Sequence, residues 1–396
     1  MQLKPDTLAM TAVLAFLTAL GPLSTDMYLP SLPAIARELS ATTAGTQGTL
    51  SAFLLGFAAG QFVYGPVSDK AGRRPVLLAG LGIFLVGSAA CALAPTIGML
   101  IAGRFLQAIG AAGPIVLARA MVRDLYEGPR AGRELSRIAM IMGLVPALAP
   151  ILGSVLQGLS GWRANFWAAL LCGIALVLAA LLVLPETLSA RLPGPLSFGG
   201  MLRSFGTLLR HPAYRVYVAL AALAYGGLFA FISGSSFVLQ GVYGLTELGF
   251  AFSFAFTVMG YIAGTVLAQR LVRSRGLDGT IAVGVMCLAT GGVLMLALVL
   301  LRVPSPAAVV GPMALYTAGV GMTLPSSQAA AMTPFPERAG AASSLLGIVQ
   351  MSFAALVGIG LGHALGREAW PLPVAVAASG AAAFALFYAT RRARAG

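Results

Sequence analysis

Charge is what this chain has least of. Acidic and basic residues make up 9% of its 396 positions, against roughly 25% in soluble globular proteins. A chain so poor in charge has too little polar surface to cover a water-soluble fold, which excludes a soluble enzyme or binding module. Carboxylates number 12, histidines 2 and cysteines 3, and no His/Cys/carboxylate cluster exists to hold a metal or form a catalytic centre. Cys91, Cys172 and Cys287 each fall within an apolar run and are odd in number, so they read as packing residues rather than disulfide partners. No GxxxxGK[ST] loop is present to bind nucleotide phosphates. No cofactor is expected, and no enzymatic activity.

What remains is apolar. Hydrophobic residues make up 58% of the chain, and its mean hydropathy is +0.90. About twelve runs approach the roughly 20 residues that cross a bilayer as helix: 8–30, 44–67, 76–95, 97–119, 135–159, 163–185, 213–239, 247–269, 279–302, 306–330, 340–365 and 371–389. They lack polar alternation and exceed the length of barrel strands, so helices are expected. The 49 glycines and 23 prolines suit membrane helices that pack closely and bend. The first run is too long for a signal-peptide core and reads as a true span.

A net charge of +13 would suggest nucleic acid in a soluble protein. Here its distribution is a topology signal. With the N-terminus in the cytoplasm, Lys4, Lys70, Arg73, Arg74, Arg123, Arg130, Arg191, Arg270, Arg273, Arg338 and Arg392 join most other basic residues on the inner side. Only Arg37, Arg163, Arg302 and Arg367 fall outside. Basic loops stay cytoplasmic, so both termini are expected inside, with an even helix count.

The longest polar stretch, 186–212, divides the chain into six-helix halves, 1–185 and 213–396. Within it LSFGGMLRSFGTLLR (196–210) alternates Leu196, Phe198, Met201, Leu202, Phe205 and Leu209 with Arg203, Ser204 and Arg210. That pattern predicts a short amphipathic helix on the cytoplasmic leaflet. The halves echo each other. RAGRELSRIAMIMGLVPAL from Arg130 parallels RAGAASSLLGIVQMSFAAL from Arg338, and Gly65 before a basic loop parallels Gly264 before Arg270, Arg273 and Arg275. Parallel repeats of this kind place a substrate site near the midplane and alternate its access by rocking.

Two charges lie within spans: Asp26, in GPLSTDMYLP, and Arg104. On the lenient insertion scales an ionised side chain at the centre of a lipid-facing helix costs roughly 2.5–3.5 kcal/mol, so intramembrane charges mark function by default. At 1.5 Å per residue their depths differ by roughly 5 Å, so a direct or water-bridged pair is feasible if the helices adjoin. Burial opposes ionisation of the acid while a guanidinium favours it. A substrate that engages Arg104 or desolvates Asp26 would then change its proton affinity, coupling proton to substrate by linkage. The alternative is a static buried ion pair that orients two helices. Gln107, one turn on from Arg104, is a candidate substrate contact or an interhelical hydrogen bond. AFSFAFTVMGY (251–261) reads as lipid contact and packing.

The loop GPVSDKAGRRP (65–75) concentrates a glycine at a helix end, an acid and basic groups. Gly65 would admit a neighbouring helix, Asp69 would face the positive N-terminal end of another, and Arg73 would pair with an acid such as Asp124. This loop resembles the cytoplasmic signature of the major facilitator superfamily. RFLQAIGAAG (104–113) resembles that superfamily's fourth-helix motif with its buried arginine. GLVPALAPILG (143–153) resembles the fifth-helix motif of drug–proton exchangers, with Ala149 where glycine is usual. STDMYLPSLP (24–33), GWRANFW (161–167), TELGFAFSF (246–254) and MTPFPERAGAASSLLG (332–347) are similar to the bicyclomycin/chloramphenicol-resistance branch, Bcr/CflA.

The resemblance implies an all-α major facilitator fold of twelve transmembrane helices in two pseudo-symmetric halves, with the first and fourth helices adjacent at a central cavity. It further implies a monomeric, multi-pass protein of the bacterial cytoplasmic membrane that exchanges small amphipathic drug-like substrates for protons. Asp26 and Arg104 would couple the proton and, with Gln107, contact substrate. Gly65, Asp69, Arg73 and Asp124 would form a cytoplasmic gate. Thr18 stands where some multidrug relatives carry a second acid, which makes neutral or zwitterionic substrates at least as plausible as cations. The second-half loop has Ala268 at the acid's place, so one gate is expected to carry the full charge network. A metabolite carrier of the same fold is the alternative, though such carriers have more polar cavity spans. A channel would build its pore from several subunits, which duplicated halves do not suggest.

Overall fold

The computed structural model describes residues 7–126, 128–188, 198–365 and 369–394; Lys4, Arg191, Leu196 and Arg367, named above, lie outside them. Among the described residues the chain is helical, with no strand. The order is α1 (Leu8–Asp26), a 3₁₀ turn (Leu29–Ser31), α2 (Leu32–Glu38), α3 (Thr43–Ala71), α4 (Arg73–Ala92), α5 (Ile97–Leu125), α6 (Gly128–Ser160) and α7 (Arg163–Leu182). Then come α8 (Phe198–Arg210), α9 (Pro212–Ser236), a π turn (Phe237–Val242), α10 (Glu247–Leu300), α11 (Ala307–Met332), α12 (Ala339–Ala364), α13 (Pro371–Ala389) and α14 (Arg391–Arg394). Among the described residues eleven helical stretches are long and apolar enough to cross a membrane. One of them, α10, holds the expected eighth and ninth spans as a bent pair, broken at Gly276 (φ 69°, ψ −176°).

Helix starts follow local chemistry. Thr7, Thr96 and Thr246 accept hydrogen bonds from the backbone N–H three residues on, which satisfies a donor that the first turn leaves orphaned. Pro30 and Pro33 stop α1 and open the short elements after it. The expected amphipathic helix is α8; Phe205 and Leu208 are buried while Leu202 is 60% exposed. In the aromatic run on α10, Phe252, Phe256 and Met259 are exposed, whereas Phe250 and Phe254 are buried with Phe231. That division fits a helix with one face toward lipid and one toward protein.

The chain forms two compact units, Met1–Ala41 with Ala52–Leu196, and Thr42–Ser51 with Ser197–Gly396. Each contains the same close helix crossing. In the first, a Cβ on Gly56 would lie 2.3 Å from the Phe105 carbonyl oxygen, and one on Gly60 2.9 Å from that of Ile109. In the second, a Cβ on Gly260 would lie 2.2 Å from the Ala314 carbonyl oxygen, and one on Gly264 2.1 Å from that of Ala318. Only glycine lets backbones approach so far. The same offset carries Gly72 (φ +104°) onto Gly276 (φ +69°), so the duplication is written in backbone geometry.

This register corrects two expectations. The counterpart of Gly264 is Gly60, not Gly65; a Cβ on Gly65 would meet nothing within 4 Å. The counterpart of Asp69 is Arg273 rather than Ala268, which matches Tyr64. The second unit has a charge network of its own. Arg394 forms an ion pair with Asp278, whose other oxygen accepts from the Tyr217 hydroxyl at 2.7 Å. Arg394 also donates to the Phe387 carbonyl at 2.7 Å.

Candidate functional site

Helix α1 ends at Asp26: the Met27 N–H still donates to the Leu23 carbonyl, but the carbonyls beyond it are those a helix end leaves without an intrahelical donor, and this end carries partial negative charge. Arg104 of α5 meets that need. Its Nη1 donates to the Ser24 carbonyl at 3.1 Å and to Gln107 Oε1 at 2.5 Å. Gln107 Nε2 donates to Ser88 Oγ at 2.9 Å, and Ser88 donates to the Phe84 carbonyl. Gln107 is fully buried, and its amide bridges α5 to α4. Its contacts are those of the interhelical hydrogen bond, one of the two roles the sequence left open.

Three rings enclose the guanidinium, with centroids 4.5 Å (Tyr28), 4.2 Å (Phe53) and 5.8 Å (Phe166) from its central carbon. Each ring face offers negative charge to a desolvated cation. Arg104 is 0% exposed, and its Nε and Nη2 have no hydrogen-bond partner among the described residues. Asp26, on the final residue of α1 and two positions from Ser24, is 7% exposed. No nitrogen of Arg104 reaches its carboxylate within 4 Å, so the two charges are not a closed ion pair.

The motifs STDMYLPSLP and GWRANFW dock on one another around this centre. Tyr28 and Phe166 have centroids 5.6 Å apart, and Asn165 Nδ2 donates to Ser31 Oγ at 3.0 Å. Trp162 Nε1 donates to Glu38 Oε2 at 2.8 Å, and Arg163 pairs with the same carboxylate. Gly153, the last residue of GLVPALAPILG, lies directly against the break in α1; a Cβ there would fall 1.6 Å from the Met27 carbonyl oxygen. That glycine lets α6 run past the residue that follows Asp26.

The basic loop forms a second cluster. Arg73 Nη1 donates to Asp69 at 2.6 Å and to Ser68 Oγ at 2.7 Å, and its Nε donates to Asp124 at 2.9 Å. The arginine side chain is 9% exposed, and those of Asp124 and Asp69 18% and 36%. The acid at the N-terminus of α4 is neither of these but Glu186. Its two oxygens accept from the backbone N–H groups of Arg73 at 2.9 Å and Arg74 at 3.2 Å. Gly72, with positive φ, clears the way, since a Cβ there would lie 2.6 Å from Glu186 Oε2. Arg74 reaches the α7 carbonyls of Ala180 and Leu181 at 3.0 and 2.5 Å, complementing the negative end of that helix.

Sequence reasoning did not single out Glu186, nor Glu134, a buried acid that accepts from Thr11 Oγ1 at 2.8 Å and pairs with Arg137. Phe53 of the cage carried no sequence signal, whereas Tyr28 and Phe166 lay within motifs already marked. Among the described residues no group of His, Cys, Asp and Glu is placed to hold a metal ion.

Comparison with known proteins gives this arrangement a family. Residues 14–359 match the model of the Major Facilitator Superfamily. A bicyclomycin resistance protein homolog of Haemophilus influenzae is 28% identical over 90% of each chain. The multidrug resistance protein MdtL of Shigella flexneri is 32% identical, covering 87% of this chain and 88% of its own. Among solved structures, the xylose transporter XylE of E. coli superposes with a TM-score of 0.74 at 14% identity, covering 97% of both chains; at that identity the likeness concerns the fold alone. Fold, motifs and relatives agree that this chain is a multi-pass membrane transporter belonging to the Major Facilitator Superfamily.

Proposed function

We propose that this transporter exports small amphipathic drugs from the bacterial cytoplasm in exchange for protons, and that Asp26 is the group that carries the proton. One observation bears most of the weight. Asp26 is a buried carboxyl at the broken end of α1, with no hydrogen-bond or ion-pair partner among the described residues. It lies two positions from the carbonyl held by the caged Arg104. A carboxyl left unpaired next to a fixed cation responds to whatever else enters its surroundings. The relatives named for bicyclomycin and multidrug resistance support drugs over metabolites as cargo.

In the proposed cycle Asp26 takes up a proton from outside, and the site reopens to the cytoplasm. Substrate then enters against Arg104 and Asp26, which favours proton release inward. The loaded protein turns outward. Gln107 and the three rings hold the guanidinium in place, while Asp69, Arg73 and Asp124 serve the inner gate. Both termini lie in the cytoplasm, the protein acts as a monomer in the inner membrane, and the proton gradient alone drives it.

Everted vesicles test this reading. With the interior acidified, chloramphenicol, florfenicol or bicyclomycin should accumulate in wild-type vesicles, be lost with an uncoupler, and fail to accumulate in Asp26→Asn vesicles. Gradient-dependent uptake that persists in the variant removes Asp26 from the mechanism. If none of the drugs moves, a metabolite takes their place as cargo.

A further inference from the structure

The helix α8 carries three surfaces where a simple amphipathic helix has two. At 3.6 residues per turn each residue advances about 100°. Leu202 and Leu209 thus fall within about 20° of each other, and Arg210 and Arg203 lie about 80–100° round from Leu202 on one side. Phe205 and Leu208 lie on the other side. The structure respects this division. Phe205 is 8% exposed and Leu208 0%, facing the neighbours α9 and α12. Leu202 and Leu209 are 60% and 44% exposed, and Arg203 and Arg210 are also exposed. Neither guanidinium is paired among the described residues. Between the leucines and the arginines lies Gly206, whose Cβ position opens onto empty space.

The helix is held firmly in this orientation. One residue, His211, separates it from the spanning helix α9, and the His211 N–H donates to the Leu208 carbonyl at 3.1 Å. The His211 ring meets Phe335 edge-on at 5.2 Å, and the Tyr214 hydroxyl donates to the Ala342 carbonyl of α12 at 2.7 Å. An exposed leucine stripe is thus fixed at the end of a membrane span, with two arginines about 10 Å apart along its edge.

We propose that α8 is a docking site for anionic phospholipid, with Leu202 and Leu209 in the acyl layer and Arg203 and Arg210 each bound to a lipid phosphate. A planar guanidinium suits bidentate contact with phosphate. Stems of this length reach the headgroups while the helix rests in the interface. The leucine stripe separates a lipid from a soluble phosphate as occupant, because a free anion has no use for it.

The test uses the full-length protein reconstituted in mixed vesicles, with Cys91, Cys172 and Cys287 replaced by serine and an environment-sensitive fluorophore on Gly206→Cys. Brominated phosphatidylglycerol should quench the label more strongly than the same fraction of brominated phosphatidylcholine. At low salt this preference should fall about fivefold for each arginine changed to glutamine. An Arg203→Lys/Arg210→Lys variant, which keeps both charges, should retain most of it and guards against misfolding as the cause. Three outcomes would overturn the proposal: no quenching by either lipid, equal quenching by both, or a preference untouched in the double glutamine variant. Loss of the preference on adding inorganic phosphate at constant ionic strength would do the same, by naming a soluble anion as the ligand.

Discussion

Replacing Gly56, Gly260 and Gly65 by alanine, one at a time, separates close approach from open space. At Gly56 the new methyl carbon would stand 2.3 Å from the Phe105 carbonyl oxygen, and at Gly260 2.2 Å from that of Ala314. Carbon–oxygen contacts settle near 3.3 Å or beyond, so α3 must part from α5, and α10 from α11, by about 1 Å. Forcing an extra methyl into a packed interface costs about 1–3 kcal/mol, offset in part by the ~0.5–1 kcal/mol that alanine gains over glycine within a helix. For a unit of roughly 150–250 residues, each kcal/mol moves the melting temperature by about 2–4 °C. Thermal unfolding in mild detergent, followed by reaction of a dye with the buried thiol of Cys91, should place Gly56→Ala and Gly260→Ala several degrees below wild type and near each other. Gly65→Ala, which meets nothing within 4 Å, should melt at or slightly above wild type. A Gly65→Ala variant destabilised as much as Gly56→Ala, or a wide difference between the Gly56 and Gly260 variants, would refute close backbone approach as the cause.

Other substitutions probe the two polar clusters. Glu186→Ala removes the acceptor for two N–H groups at the start of α4 and should cost about 1–2 kcal/mol, read as a lowered melting temperature. Glu186→Gln, which keeps an acceptor but loses the charge, should cost about half as much. Gln107→Leu leaves Ser88 and one Arg104 donor without their partner; a loss of about 1–3 kcal/mol and a sharp fall in vesicle uptake are expected, whereas Gln107→Glu should retain more stability because it still accepts from Arg104. Ending the chain at residue 393 removes the Arg394 ion pair, and limited proteolysis should then cut faster in the turn around Gly276.

Much of this was legible in the sequence, and the parts that were not have physical reasons. Runs of apolar residues declare spanning helices because bilayer thickness sets their length. The boundary between the eighth and ninth spans was visible as 270–278, yet the break itself is one residue long, since Gly276 supplies the single positive φ at which the two helices part. Arg104 and Asp26 stood out because charge within a span is rare. The cage around Arg104 did not stand out, because Phe53 is one of 20 phenylalanines and nothing local distinguishes a ring that faces a cation from one that faces lipid. Glu186 was hidden for a different reason: capping depends on a contact between the end of α7 and the start of α4, more than a hundred residues apart. Gly65 misled because the sequence put it at a helix end, whereas α3 runs on to Ala71 and its close approaches fall one and two turns earlier, at Gly60 and Gly56.

If drug and proton compete through Asp26, proton release on drug binding measures it most directly. Purified transporter in lightly buffered detergent solution, with a pH-indicator dye, would receive saturating chloramphenicol, florfenicol or bicyclomycin, with binding followed in parallel by tryptophan fluorescence. Wild-type protein should release protons as drug binds, and Asp26→Asn should bind drug without releasing them. Drug binding with no release from wild type, or an equal release from Asp26→Asn, would contradict it.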